Sequence, residues 1–398
     1  MRRVLLLLPT TTYRATDFVG AAGHLGVEVV VGSEEAQALA GDMGDRAVVV
    51  PLSDVAAATA AILDLHTRAP LDAVVAVDDQ GVLIAAACGE RLHFPHNPPA
   101  AVSATRDKHA MRQALARAGV AQPRFALVVD PQHPPDVGFP CVVKPVGLSA
   151  SRGVIRADDR AAAERAVIRV RAITDGPILI EEYVPGVEVA VEGMMRGGIL
   201  DVLAVFDKPD PLVGPYFEET IYVTPSRLPS DRLDAVSHST QRACSAIGLV
   251  EGPVHAEIRL DGDRVWLIEV AARSIGGLCA RTLRFGAGIS LEELILRHAL
   301  GMSLDGLVRE ASASGVMMLP IPRAGVLEDV GGQDAARAVA GVTGLEITVP
   351  RGRHVQPLPE GDRYLGFVFA RGETPAEVEG ALRRAHAALD VRIAPDEV

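Results

Sequence analysis

The chain has 398 residues, 48% hydrophobic and 23% charged, an ordinary globular composition with room for two or three domains and no disordered tract. Its 39 Lys and Arg against 51 Asp and Glu leave a net charge of −12, which argues against nucleic acid as a partner but not against a small anion held by local cations. No stretch approaches the roughly 20 apolar residues of a membrane span, so no membrane partner is expected.

Residues 4–8 open the chain as a buried strand. Arg2 and Arg3 ahead of it imitate the basic start of a secretory signal, but the apolar run stops at Pro9, so a cytoplasmic location is expected. Further buried strands are predicted at 27–31, 47–50 and 73–77, with helices at 15–25, 54–68 and 80–88 between them. This alternation predicts a doubly wound parallel α/β sheet. Gly20, Gly23 and Gly26 fall late in a helix with the wrong spacing for a dinucleotide fingerprint, and read as helix-end and packing glycines. The turn-rich segment 94–99 predicts a domain boundary.

Beyond it the spacing predicts a helix over 105–118, strands at 125–129 and 140–144, a Gly/Ser loop at 147–153, a helix over 161–172 and a strand at 177–183. Two hairpins are expected, 188–195 with 199–206 around Gly197-Gly198, and 254–260 with 264–270 around Asp261-Gly262-Asp263. Helices are predicted at 232–247, 291–300 and 376–389, the last within a final α+β region. The four cysteines, Cys88, Cys141, Cys244 and Cys279, form no CxxC and read as reduced residues.

The chain contains three lysines, Lys108, Lys144 and Lys208, among its 39 basic residues, and one asparagine, Asn97. Where arginine serves almost everywhere, the remaining lysines mark places that need a compact, flexible ammonium, unless the bias is chance. Lys144 ends a predicted strand and leads into Pro-Val-Gly-Leu-Ser149-Ala-Ser151-Arg-Gly153, whose backbone N–H groups and hydroxyls could cradle phosphate oxygens. A solvent loop has the same composition. In Glu181-Glu-Tyr-Val-Pro-Gly-Val-Glu188, the backbone of Glu182 and Val184 offers donors and acceptors to an adenine, and Glu181 and Glu188 can accept from ribose hydroxyls. The alternative is an exposed acidic strand end. Glu257 and Glu269 lie on paired strands and can converge into a hard oxygen site suited to Mg²⁺, with Arg273 just beyond to stabilise phosphoryl charge. A solvated charged hairpin is the competing reading, opposed by the apolar stretch around Glu269.

In order along the chain, Asp107-Lys108-x-x-Met111-Arg112, Val142-Val-Lys144-Pro, the Ser/Gly loop, Glu181-Glu-Tyr-Val184, and His255-x-Glu257 with Glu269-x-x-x-Arg273 resemble the motifs of the ATP-grasp superfamily. Gly214-Pro-Tyr-Phe-Glu-Glu-Thr220 and Glu269-Val-Ala-Ala-Arg-Ser-Ile-Gly-Gly277 resemble its L-amino-acid ligases, the dipeptide-forming carboxylate–amine ligases. The resemblance implies an ATP-grasp fold with an N-terminal α/β domain at 1–98, a nucleotide-binding region at 99–300 with a lid at about 123–190, and a C-terminal α+β lobe at 301–398. It implies ATP and one or two Mg²⁺, with Mn²⁺ as a substitute. Lys108 and Lys144 would meet the phosphates, Ser149, Ser151 and Gly153 would form the lid loop, and Glu181, Glu182, Val184 and Glu188 would hold the nucleoside. Glu257 and Glu269 would bind metal, Arg273 an acyl phosphate, and Glu219 would face an amino-acid substrate. Lys208 is either a further phosphate or substrate contact or a surface lysine. Ala271 stands where many superfamily members place a metal-binding Asn, which leaves the second ion open. The implied reaction joins a small carboxylate to an amine, and a homodimer is the family expectation. Another ATP-grasp ligation or carboxylation, and a nucleotide-binding module without turnover, are the competing functions.

Overall fold

The computed structural model describes residues 1–10, 12–35 and 44–396. Strands Ala47–Val49, Glu28–Ser33, Arg3–Leu7 and Ala73–Ala76 lie in that order in one parallel sheet. Side chains alternate across a strand, so the apolar run after Arg3 feeds two cores at once. Val4 and Leu6 pack with Phe18, Ala21 and residues of the helix Leu291–Ala299. Leu5 and Leu7 pack with Ile62, Leu65, Ile84 and Cys88 from helices Val55–Arg68 and Val82–Leu92. The sheet is covered on both faces, as the alternating pattern predicts. Gly26 follows its helix with φ +62°, a left-handed turn position suited to glycine. Gly20 and Gly23 are exposed, with nothing within 4 Å of a Cβ, so the packing role expected for them is overturned.

The predicted helix over 105–118 is two helices, Pro99–Arg106 and Lys108–Arg117. They break at Asp107, whose backbone is extended and whose carboxylate accepts from the Ala110 N–H at 2.8 Å. Aspartate prefers this capping position, and the cap puts Lys108 at the first turn. The linker before them is fastened by Asn97. Its Oδ1 accepts from the N–H groups of Val250 (2.7 Å) and Glu251 (2.9 Å), and its Nδ2 donates to the Glu251 carbonyl (2.6 Å).

Strands Phe125–Leu127, Ile178–Glu182, Cys141–Pro145 and Ile155–Ala157 form a small antiparallel sheet backed by the helix Arg160–Ile173. An eight-stranded antiparallel sheet carries both predicted hairpins, running Arg264–Ala271, Gly252–Asp261, Val187–Arg196, Ile199–Asp207, Ile221–Thr224, Ala313–Leu319, Gly366–Gly372 and Val342–Ile347. Ile221–Thr224 pairs with Ala313–Leu319, so the sheet continues across the boundary expected at 301. The four cysteines are free and buried. Among the described residues no helix is long and apolar enough to cross a membrane.

Candidate active site

A cavity of about 850 Å³ lies where the parallel sheet, the small antiparallel sheet and the eight-stranded sheet meet. Its wall includes Lys108, Lys144, Ser149, Ser151, Glu181, Glu182, Val184, Glu188, Glu219, Glu257, Glu269 and Arg273. The lining also includes an apolar and aromatic group, Tyr13, Cys279, Met318, Tyr364 and Phe367, with Tyr13 and Tyr364 packed edge-on against Phe367.

Lys144 leaves its strand into a buried position and meets Glu181 Oε2 at 2.7 Å. Arg112, fully buried, donates to both oxygens of Glu181 at 2.7 and 3.2 Å, and to the carbonyls of Leu267 and Ile268. Burial opposes ionisation of Glu181, but Arg112 and Lys144 outweigh it and hold the carboxyl down at about 2. Both oxygens are thus committed to cations. Glu181 holds Lys144 in place, which replaces the expectation that it accepts from a nucleoside. It is 3% exposed, so the solvated-strand-end alternative also fails.

Glu188 is buried too, accepting from Lys208 (2.6 Å) and Arg259 (2.7 Å). Burial opposes its ionisation, yet these two cations keep it below the ordinary range. Arg259 also donates to the carbonyl of Val184 (2.6 Å), tying the predicted adenine-facing turn to the central sheet. Glu182 is half-buried; its carboxylate pairs outward with Arg124 at 3.0 Å and its N–H donates to the Arg124 carbonyl at 2.9 Å, so neither is left for a base.

Lys208 is 8% exposed, which overturns the surface-lysine alternative. Its ammonium pairs with Glu188 and Glu219 and lies 3.5 Å from Glu257. Those three carboxylates each place an oxygen within 4.8 Å of the others, so the ammonium occupies a cluster that could otherwise hold a cation. Glu219 therefore reaches the cavity wall as a partner of Lys208.

Glu257 and Glu269 lie on paired strands, as expected, and are directly opposed; the register near the turn, with Ile258 facing Leu267, would set Glu257 against Ile268, and a bulge shifts it to Glu269. Lys108 approaches Glu269 at 3.4 Å and donates to the Leu148 carbonyl at 2.6 Å, joining the capped helix to the Gly/Ser loop. Burial raises the Glu257 carboxyl, and the neighbouring Glu219, Glu188 and Glu269 charges add to this against the pull of Lys208. Excess negative charge on hard oxygen donors fits a divalent cation, which would relieve it. His255 sits beside them on Glu192 (3.2 Å), and burial keeps its imidazole below its ordinary value.

Arg273 extends from the strand end to Asp79 at 2.9 Å. Burial opposes its charge, and the nearby Asp79 more than restores it, raising the guanidinium. Asp79, also 3.1 Å from Arg106, is held down at about 2 against the effect of burial. Ser149 and Ser151 line the cavity, while Gly153, at φ +73°, donates to the Pro359 carbonyl at 2.8 Å. The loop is thus not a free solvent loop. Gly277, at φ +58°, leaves no vacant space, since a Cβ there would lie 2.8 Å from the Phe367 ring.

Arg112, Asp79, Arg106 and Arg259 were not assigned roles by sequence reasoning. Each acts through a partner far away in the chain, so no local spacing marks it. Lys144, Lys108 and Arg273 converge as expected.

The stretches that build this cleft match ATP-grasp models over more than half of the chain, and the chain belongs to that class. Residues 137–282 match an ATP-grasp domain and residues 19–96 an ATP-grasp N-terminal domain. Within that class, residues 317–394 match L-amino acid ligase C-terminal domain 2. The chain is similar throughout to an L-amino acid ligase from Bacillus licheniformis, at 26% identity and TM-score 0.85 over 99% of both chains. It is 30% identical over 241 residues to alanine–anticapsin ligase of Bacillus subtilis, covering 54% of this chain and 50% of that protein. It thus spans about half the length of that relative. A formate-dependent phosphoribosylglycinamide formyltransferase of Paraburkholderia xenovorans is 28% identical over 94% of this chain and 92% of its own.

Proposed function

We propose that the protein is an ATP-dependent ligase that joins a carboxylic acid to an amine, an amino acid at one or both positions, with release of ADP and phosphate. The carrying observation is the convergence of Lys108, Lys144, the opposed Glu257 and Glu269, and Arg273 on one cavity. The C-terminal match to L-amino acid ligases directs that machinery to acid and amine substrates. The cavity volume falls within the roughly 300–1,000 Å³ of small-molecule sites.

A substrate carboxylate oxygen attacks the γ-phosphorus of ATP and ADP departs, leaving an acyl phosphate. A neutral amine then attacks the acyl carbon and expels phosphate. Lys108 and Lys144 place positive charge at the phosphates, and positioning contributes most of the acceleration. A divalent cation held by Glu257 and Glu269 would neutralise charge on the phosphate oxygens. Arg273, kept charged by Asp79, would hold the transferred phosphoryl group. Glu219, oriented by Lys208, would face the amine. With an α-amino pKa of about 8, that amine needs only modest deprotonation. Val184 and Glu188 would border the nucleoside, and the 149–153 loop would exclude water from the acyl phosphate.

Phosphate release is measured with amino acids singly and in pairs, and with bicarbonate, and products are identified by mass spectrometry. The expected result is release that requires an acid and an amine, with an amide as product. Release driven by bicarbonate, or ATP binding without release, would overturn the assignment. Arg273→Ala is expected to lower turnover by about 10²–10³-fold while leaving ATP-analogue affinity nearly unchanged.

A further inference from the structure

Arg14 precedes the helix Ala15–His24 and is 1% exposed. Nη1 donates to the Val77 carbonyl at 3.1 Å, while Nη2 donates to Ser274 Oγ at 2.9 Å and meets Glu292 Oε1 at 3.3 Å. The guanidinium also lies 5.1 Å from the centre of the Phe18 ring. A buried arginine is costly unless it is paired, and Glu292, itself 2% exposed, supplies the charge.

The two remaining contacts frame a third. Val77 lies two residues before Asp79, and Ser274 follows Arg273. The Asp79–Arg273 ion pair is therefore bracketed by a planar fork that ties the Val77 carbonyl to the Ser274 hydroxyl. The next residue is held as well, because the Ile275 N–H donates to the buried carboxylate of Glu192 at 3.0 Å. Residues 273, 274 and 275 are thus gripped in turn by Asp79, Arg14 and Glu192.

We propose that Arg14 is a positioning residue, stapling the Asp79 turn of the N-terminal sheet to the strand end that carries Arg273 and so setting the direction of that guanidinium. The inference rests on the ligase reading for its effect on turnover, but not for its effect on geometry. The N-terminal sheet then aligns the phosphoryl-binding arginine from outside the nucleotide-binding domain.

Arg14→Lys in the full chain is the test. Lysine keeps the charge opposite Glu292 but lacks the fork that reaches both Val77 and Ser274. The expected result is a fold of near wild-type thermal stability whose kcat falls about 10–100-fold, with ATP-analogue affinity changed less than twofold. Ser274→Ala, which removes one bond without unpairing a charge, is expected to lose about tenfold in kcat. It also answers the question if Arg14→Lys does not fold. Wild-type kcat in a folded variant, or equal losses in kcat and ATP-analogue affinity, would overturn the proposal. A crystal structure of either variant decides independently of turnover. An Asp79–Arg273 pair that is broken or rotated supports the staple, and an unchanged pair overturns it. Absence of turnover in the wild type sinks only the ligase reading, since the structural comparison still stands.

Discussion

Glu181 carries two cations on one carboxylate, and the arrangement is sensitive to acid. Its folded pKa of about 2 lies below the ordinary 4.5, so its contribution is fully present above the unfolded value and is lost as pH falls toward 2. The shift corresponds to on the order of 3 kcal/mol at neutral pH. Glu181→Gln is therefore expected to destabilise the chain by about that amount at pH 7. The gap to wild type, measured by urea unfolding, narrows between about pH 4.5 and pH 2. A gap that stays constant across this range would mean that lost packing, not charge, is responsible. The residue-level lesson is that Lys144 was legible as a residue of the cavity wall from its rarity and its strand-to-loop setting. Arg112, which shares its carboxylate, carried no such mark in a chain dominated by arginine.

At the scale of elements, the Gly/Ser loop and the helix Arg160–Ile173 are latched to the segment around Pro359 and Glu360. Gly153 donates to the Pro359 carbonyl, and Arg152 Nε donates to the Glu360 carbonyl at 3.1 Å. Arg169 grips both oxygens of Glu360 at 2.6 and 3.0 Å and also donates to the Tyr216 hydroxyl. The segment that bears this latch continues into Asp362, Arg363 and Tyr364, which border the cavity. Bidentate pairing gives the latch direction, although its partial exposure limits its strength. On the proposed ligase reading, Arg169→Glu is expected to raise phosphate release without amide formation on the order of fivefold, because water would reach the acyl phosphate. Adding Glu360→Arg restores the opposite charges and the coupling. The phosphate-to-amide ratio measures both effects, and no rescue in the double variant would remove the ion pair from the account. The helix break at Asp107 belongs to this scale as well. Helical periodicity runs straight through 105–118, and only the capping preference of Asp107 signals the interruption that presents Lys108 to the cavity.

Across the whole molecule, the cavity is a seam between the sheets, so a ligand there ties them together. A non-hydrolysable ATP analogue with Mg²⁺ at 100 times its Kd is expected to stabilise the fold by about 2.7 kcal/mol. In thermal unfolding, this raises the Tm, and chelation of the metal reverses part of the rise. A transition that does not respond would mean that the native fold does not bind the nucleotide.

Period-2 and period-3.6 patterns, hairpin turns and short motifs sufficed to identify the parallel sheet and both antiparallel hairpins, one of them carrying Glu257 and Glu269. These are local features, set by how a few neighbouring residues pack or turn. The partners of the charged groups were decided by tertiary structure alone: Arg14 with Ser274, Asp79 with Arg273, Lys208 among three glutamates, and Glu181 between two cations. Each joins residues distant in sequence, and burial forces a charge to take whichever partner the folded chain brings within reach. No spacing rule in the linear chain can name that partner.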